Sequence, residues 1–289
     1  RRSYLQHIKE VWDQKMEGAP LVEQKIFITV PASFDPSARQ LTEEAAQQAG
    51  YPEVILLEEP QAAFYSWIQK SAEQWRKQLG VGDTVVVIDI GGGTTDFSLI
   101  AVDEMDGDLV LERKSVGQHL LLGGDNMDLA VAYHVKGRLE AEGHAIDDWQ
   151  MQGLVQSCRQ AKEQLLGENP KESVAITVLG RGSSLIGGTI ATSITAQEVH
   201  ELLVEGFFPL VERNEQPLAD ERHGIQQIGL PYARDPRITC QLAKFLSQGD
   251  GSLSTTALLF NEYYASYGLP RAYRRVIELM GASCGETAY

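Results

Sequence analysis

Between Val85 and Val102 the chain reads VVVIDIGGGTTDFSLIAV, and the residues at its centre are of types that handle phosphate. An apolar run delivers one acid, Asp89, to three consecutive glycines, Gly91, Gly92 and Gly93. Thr94, Thr95 and a second acid, Asp96, follow before apolar residues resume. Successive backbone N–H groups with no Cβ beside them form a concavity that binds anions. Thr94 and Thr95 add hydroxyl donors, and Asp89 can hold a hydrated divalent cation against the same phosphates. The alternative is a plain glycine hairpin inside a core sheet, and a bare GGG would favour it. The acid before the glycines and the Thr-Thr-Asp after them favour phosphate.

Two buried strands joined by a tight turn are the elements that must carry this bend, because the apolar residues on either side are continuous rather than alternating. Asp108–Gly117 reads as a third strand of the same sheet. Upstream, the spacing of Leu5, Ile8, Val11 and Trp12 predicts an amphipathic helix to about Met16. A strand at Lys25–Val30 stops at Pro31, and a helix then runs to about Gln48. A short buried strand at Val54–Leu57 ends at Glu58, Glu59 and Pro60, where a long helix begins and runs towards Leu79. A second glycine turn lies in LLLGGDNMD, with Gly123 and Gly124 ahead of Asp125, which is expected to cap a helix to about Glu142. Further helices are expected at Trp149–Leu166, Ala196–Glu212, Asp235–Ser247 and Leu269–Met280. Strands are expected at Ser173–Leu179 and Ser184–Ser193, paired across Gly180–Ser183, and at Thr255–Phe260. Repeated strand-then-helix units make an α/β protein.

Composition limits the partners. In 289 residues, 43% hydrophobic and 22% charged, 40 acids against 25 bases give a formal charge of −15. That field repels a phosphate backbone, so nucleic acid is not an expected partner, and a bound nucleotide must be held by local donors and a metal ion. Cys158, Cys240 and Cys284 are widely spaced, which argues against a disulfide scaffold or a zinc site. No apolar stretch reaches the ~20 residues of a membrane span, and a cytoplasmic location is the default expectation.

Five ordered blocks resemble the nucleotide-binding domain of the seventy-kilodalton heat-shock (DnaK-like) chaperones, within the actin-like ATPase superfamily. They are ITVPASFDPSARQ (Ile28–Gln40), LLEEPQAAF (Leu56–Phe64), VIDIGGGTTDFSL (Val87–Leu99), LGGDNMD (Leu122–Asp128) and SCRQAKEQL (Ser157–Leu165). The resemblance implies an actin-like, ribonuclease H-like α/β fold of two lobes. Residues 1–80 would be the remainder of the first lobe, whose N-terminal part is missing. Residues 81–122 and 206–289 would form the core of the second lobe, and residues 123–205 its outer subdomain. It further implies ATP or ADP with Mg²⁺. Glu59 would orient the attacking water, Asp89 would hold the metal through water, and Gly91–Thr94 would cradle the phosphates. Gly123 and Gly124 would touch phosphate from the other side, and Lys162 would lie against ribose or base. Pro31 and Arg39 match positions that relay the nucleotide state. Cochaperones, a nucleotide-exchange factor and unfolded clients are the implied partners. Each role has a plainer counterpart: Glu59 suits a helix start through the dipole, and a lysine on a helix face is usually solvated.

The departures from the family pattern point to a divergent bacterial member. The first phosphate loop and its lysine are expected upstream of Arg1. In the adenosine clamp only Lys162 matches; Arg159, Glu163 and Leu166 stand where the family has glutamate, arginine and a small hydroxyl residue. LLFN at Leu258–Asn261 runs into Glu262, Tyr263 and Tyr264 without the family's glycines, and Gln216–Ser247 is longer than the usual connection. Two other functions therefore stay open at this stage: a non-hydrolysing nucleotide sensor or scaffold, and a sugar or acetate kinase of the same superfamily.

Overall fold

A computed structural model describes residues 4–71, 75–167, 169–180, 189–218, 235–248, 255–260 and 276. The chain divides into two compact units after Trp75.

The first unit opens with α1 (Tyr4–Lys15), then β1 (Ile26–Val30), α2 (Pro36–Gln48), β2 (Val54–Glu58) and α3 (Glu59–Ser71). Asp35 caps α2 by accepting from the Ala38 amide at 2.8 Å, with Pro36 in the first turn where its missing N–H costs nothing. β1 and β2 pair in parallel, Ile26 opposite Val54 through Val30 opposite Glu58. The expected buried strand at 54–57 is only partly enclosed, since Ile55 is 41% exposed. The long helix expected to reach Leu79 is described as α3 and a short α4 (Trp75–Gln78); residues 72–74 lie outside the described set.

In the second unit β3 (Thr84–Ile90) and β4 (Thr95–Met105) form the expected antiparallel hairpin, with β5 (Asp108–Val116) beside β4. β8 (Thr255–Phe260) lies parallel to β3, completing the order β5-β4-β3-β8. Val85–Ile88 are all buried, as a strand covered on both faces requires. α5 (Gly124–Ala141) and α6 (Asp148–Leu166) pack through matching stripes, Met127, Val131, Val135 and Leu139 on one and Leu154, Cys158, Ala161 and Leu165 on the other. β6 (Ser173–Val178) and β7 (Ile190–Thr195) pair antiparallel. The expected turn and the start of the second strand fall mostly on 181–188, outside the described residues. Thr195 caps α7 (Ala196–Val199), which continues as a π-helical stretch, His200–Glu205. Helix ends near Phe207 rather than Glu212. α8 (Ile238–Ser247) sits on β4 through Phe245, stacked on Phe97 at 5.7 Å. The expected helix at 269–280 is outside the described residues apart from buried Val276.

Candidate functional site

A hydrogen bond from the Gly91 amide to the Thr94 carbonyl at 2.7 Å closes the bend at 91–94. Among the described residues the amides of Gly92, Gly93 and Thr94 have no hydrogen-bond partner. None of the three glycines has left-handed backbone. A Cβ on Gly93 would meet nothing within 4 Å, and one on Gly91 or Gly92 would find only ordinary contacts at 3.5 Å and 3.7 Å. The fold would therefore accept alanine at these positions. Three glycines in a row are explained by something else coming close to the backbone.

The second glycine turn is of another kind. A Cβ on Gly123 would lie 2.4 Å from the Gly91 carbonyl oxygen and 2.6 Å from that of Gly92. Gly123 is thus required by contact with the first bend. The Gly124 amide donates to Gly91 O at 3.1 Å and the Asp125 amide to Gly92 O at 2.7 Å. Gly123, not the expected Asp125, is the residue that precedes the helix, and its own amide is satisfied by Asn126 Oδ1 at 2.9 Å. The amides of Gly123 and Gly124 are engaged within the protein, so this pair positions the hairpin against the N-terminus of α5.

Thr95 departs from the expected role of phosphate donor. It is fully buried, and its hydroxyl donates to the Leu122 carbonyl at 2.7 Å, pinning the hairpin to the strand-like segment that leads into Gly123. Thr94 is half-buried, with no bond recorded to its hydroxyl among the described residues.

Asp89 and Asp96 stand directly opposite each other across β3 and β4, one step from the bend. Opposed residues of an antiparallel pair share a face, so two carboxylates point the same way, an arrangement that repels. Burial pushes the Asp96 carboxyl above its ordinary range; His119 opposes the shift and the Asp89 charge adds to it. His119 Nδ1 lies 2.9 Å and 3.0 Å from the two Asp96 oxygens. Sequence reasoning noticed Asp96 without giving it a role and passed over His119; its place six residues before Asp125, in the segment pinned to Thr95, was the available signal.

Lys162 is not on a solvated helix face. It is 9% exposed and pairs with Asp128, 3% exposed, at 2.5 Å between Nζ and Oδ1. Arg159 adds a weaker contact to Asp128 at 3.9 Å and one to Glu163 at 3.6 Å. Burial raises the Asp128 carboxyl and Lys162 works against it. The Cys158 thiol is pushed up to about 12, by burial first and by Asp128 second, so it is a core residue and no nucleophile. In the first unit Glu59 is the first residue of α3, Pro31 follows β1, and Arg39 pairs with Glu58 at 3.4 Å.

The residues of the hairpin fit a magnesium nucleotide. Among the described residues no group of three or more His, Cys, Asp or Glu forms a metal cage. Mg²⁺ is commonly held by one or two carboxylates with waters and phosphates completing its shell, which an Asp89–Asp96 face beside open amides can supply. No helix among the described residues is long and apolar enough to cross a membrane.

The model of the Hsp70 protein family matches residues 3–227. Proteins named Chaperone protein HscA homolog are similar. That of Acinetobacter baylyi is 38% identical over 138 residues, 48% of this chain and 21% of the relative. The one from Acinetobacter baumannii strain AYE is 36% identical over 174 residues, 60% of this chain and 26% of the relative. The one from Neisseria meningitidis serogroup B is 32% identical over 204 residues, 70% of this chain and 29% of the relative. The matches thus span less than a third of those proteins' length. With a family match over most of its length, this chain belongs to the Hsp70 protein family.

Proposed function

We propose that the chain is nucleotide-binding apparatus of an Hsp70-like chaperone, with ATP or ADP and Mg²⁺ at the triple-glycine bend. The observation that supports this most is the set of three amides without a partner among the described residues, those of Gly92, Gly93 and Thr94, in a bend whose glycines the fold does not need. The amides of Gly92, Gly93 and Thr94 would donate to phosphate oxygens, with the Thr94 hydroxyl beside them. Asp89 would hold the hydrated metal, and Gly123 and Gly124 would keep the bend seated on α5. When bound, magnesium neutralises the charge that builds on the phosphates. By the resemblance of its LLEEPQAAF block, Glu59 would orient the attacking water. In this reading the chain takes the actin-like, two-lobed fold. Nucleotide-driven lobe closure is the output read by cochaperones, an exchange factor or clients, in the cytoplasm.

Calorimetric titration with Mg·ADP tests the reading; no heat at millimolar nucleotide would remove its basis. A non-hydrolysing sensor has one observation in its favour: Lys162, the one matching residue of the adenosine clamp, is engaged by Asp128. Turnover separates the two, since Glu59→Gln should abolish most of an ATPase rate and leaves a sensor with nothing to lose. The kinase reading gains nothing from the family match.

A further inference from the structure

Asp89 on β3, Asp96 on β4 and His119 on the segment after β5 form a row, and the segment that carries the last member is tied to the sheet. The segment 117–122 runs along the start of β4. The Gly117 amide donates to Phe97 O at 2.8 Å, and Leu120 exchanges two hydrogen bonds with Thr95 at 2.9 Å and 3.1 Å. A Cβ on Gly117 would press on Phe245 at 3.2 Å and Phe97 at 3.3 Å, so the segment fits closely against the sheet on this side. His119 is thereby fixed at both sides, and its ring meets both oxygens of Asp96 although it is itself 41% exposed. A carboxylate gripped through both oxygens by a ring whose backbone is pinned loses its freedom to rotate about its terminal bond. The contact needs a proton on Nδ1, which one neutral tautomer and the imidazolium both supply.

We propose that His119 is a positioning residue that fixes the plane of the Asp96 carboxylate beside Asp89, so that the pair presents a preset anionic face to a hydrated divalent cation carried by the phosphates. The inference rests on the nucleotide reading above and adds a residue to it. Partners that orient metal-side groups typically change metal affinity by 10–100-fold when removed.

The test compares binding of Mg·ADP with that of ADP in chelator, using the full chain. His119→Ala should weaken Mg·ADP by about tenfold or more and leave metal-free ADP unchanged. His119→Asn, whose amide nitrogen falls near the position of Nδ1, should restore magnesium-dependent affinity. His119→Gln, whose nitrogen falls near Nε2 instead, should not. Equal Mg·ADP affinity for wild type and His119→Ala overturns the inference while leaving nucleotide binding intact. So does an equal loss with and without metal, or equal rescue by Asn and Gln. A wild-type chain that binds neither form overturns the nucleotide reading and this inference together.

Discussion

The two glycine bends touch, yet they differ in what demands them. On the helix side, Gly123 has no room for a Cβ, the first amides of α5 are bonded, and the buried Asp128 carries its own cation, Lys162. On the hairpin side, Gly93 has open space, three amides lack partners among the described residues, and Asp96 faces another carboxylate. One side is complete as a folded protein. The other is tolerated by the fold and becomes reasonable only with an anion and a cation added. The difference teaches that a glycine or a charge near a site is functional when removing it would leave the fold undisturbed.

That comparison can be broken at its helix side first. Lys162→Met would leave Asp128 in the α5–α6 interface with only the longer Arg159 contact, and removing one partner of a buried pair costs about 3–5 kcal/mol. The loss should appear as a fall in melting temperature on the order of 10 °C. Acid should relieve it. The native Asp128 pKa lies above its unfolded value, so stability rises as pH falls through the native value, most visibly in the variant. A variant as stable as wild type would show that Lys162 is free for another role.

Gly123→Ala comes next. Its Cβ would meet two backbone oxygens that cannot swing aside, and moving them breaks the Gly124–Gly91 and Asp125–Gly92 bonds. Overpacking and two lost bonds predict about 2–4 kcal/mol in urea unfolding. Gly93→Ala is its mirror. Stability should be unchanged or raised by up to about 1 kcal/mol, while Mg·ADP affinity falls at least about tenfold, roughly 1.4 kcal/mol. A binding curve that ignores this Cβ would mean the bend is not the phosphate site.

How much of this was legible follows from the range of each interaction. The hairpin, α5, α6 and the strand β8 were readable because apolar runs act over a few residues, whereas the parallel pairing of β8 with β3 joins distant residues. Asp89 and the three glycines were readable because their types stand out within one turn. What could not be read joins residues distant in sequence. Nothing near Thr95 says that its hydroxyl is bonded 27 residues away at Leu122. Periodicity places Lys162 beside core Ala161 but does not say that α5 offers it Asp128 across the interface. The Gly123 requirement likewise comes from Gly91, which only the folded contact reveals.

The smallest effect is the most discriminating. Asp96→Asn removes one of two opposed carboxylates, and relief of a like-charge cross-strand pair is worth about 0.2–1 kcal/mol. The bond from His119 is at the rim, so its weakening subtracts little. The native Asp96 pKa is raised above its unfolded value, chiefly by burial. Native Asp96 therefore binds its proton more tightly than unfolded Asp96, and its contribution to stability falls as pH rises through the native pKa. Below that range the acid is protonated and resembles asparagine, so the two proteins should unfold at nearly the same urea concentration. Towards neutral pH the gap should open in favour of the asparagine variant, while its affinity for Mg·ADP drops. Stability lost for the sake of a ligand is what a binding site shows when its charges are arranged for that ligand rather than for the fold. A gap of constant size across pH, or one that favours wild type, would mean that the carboxylate pair is at rest without a cation.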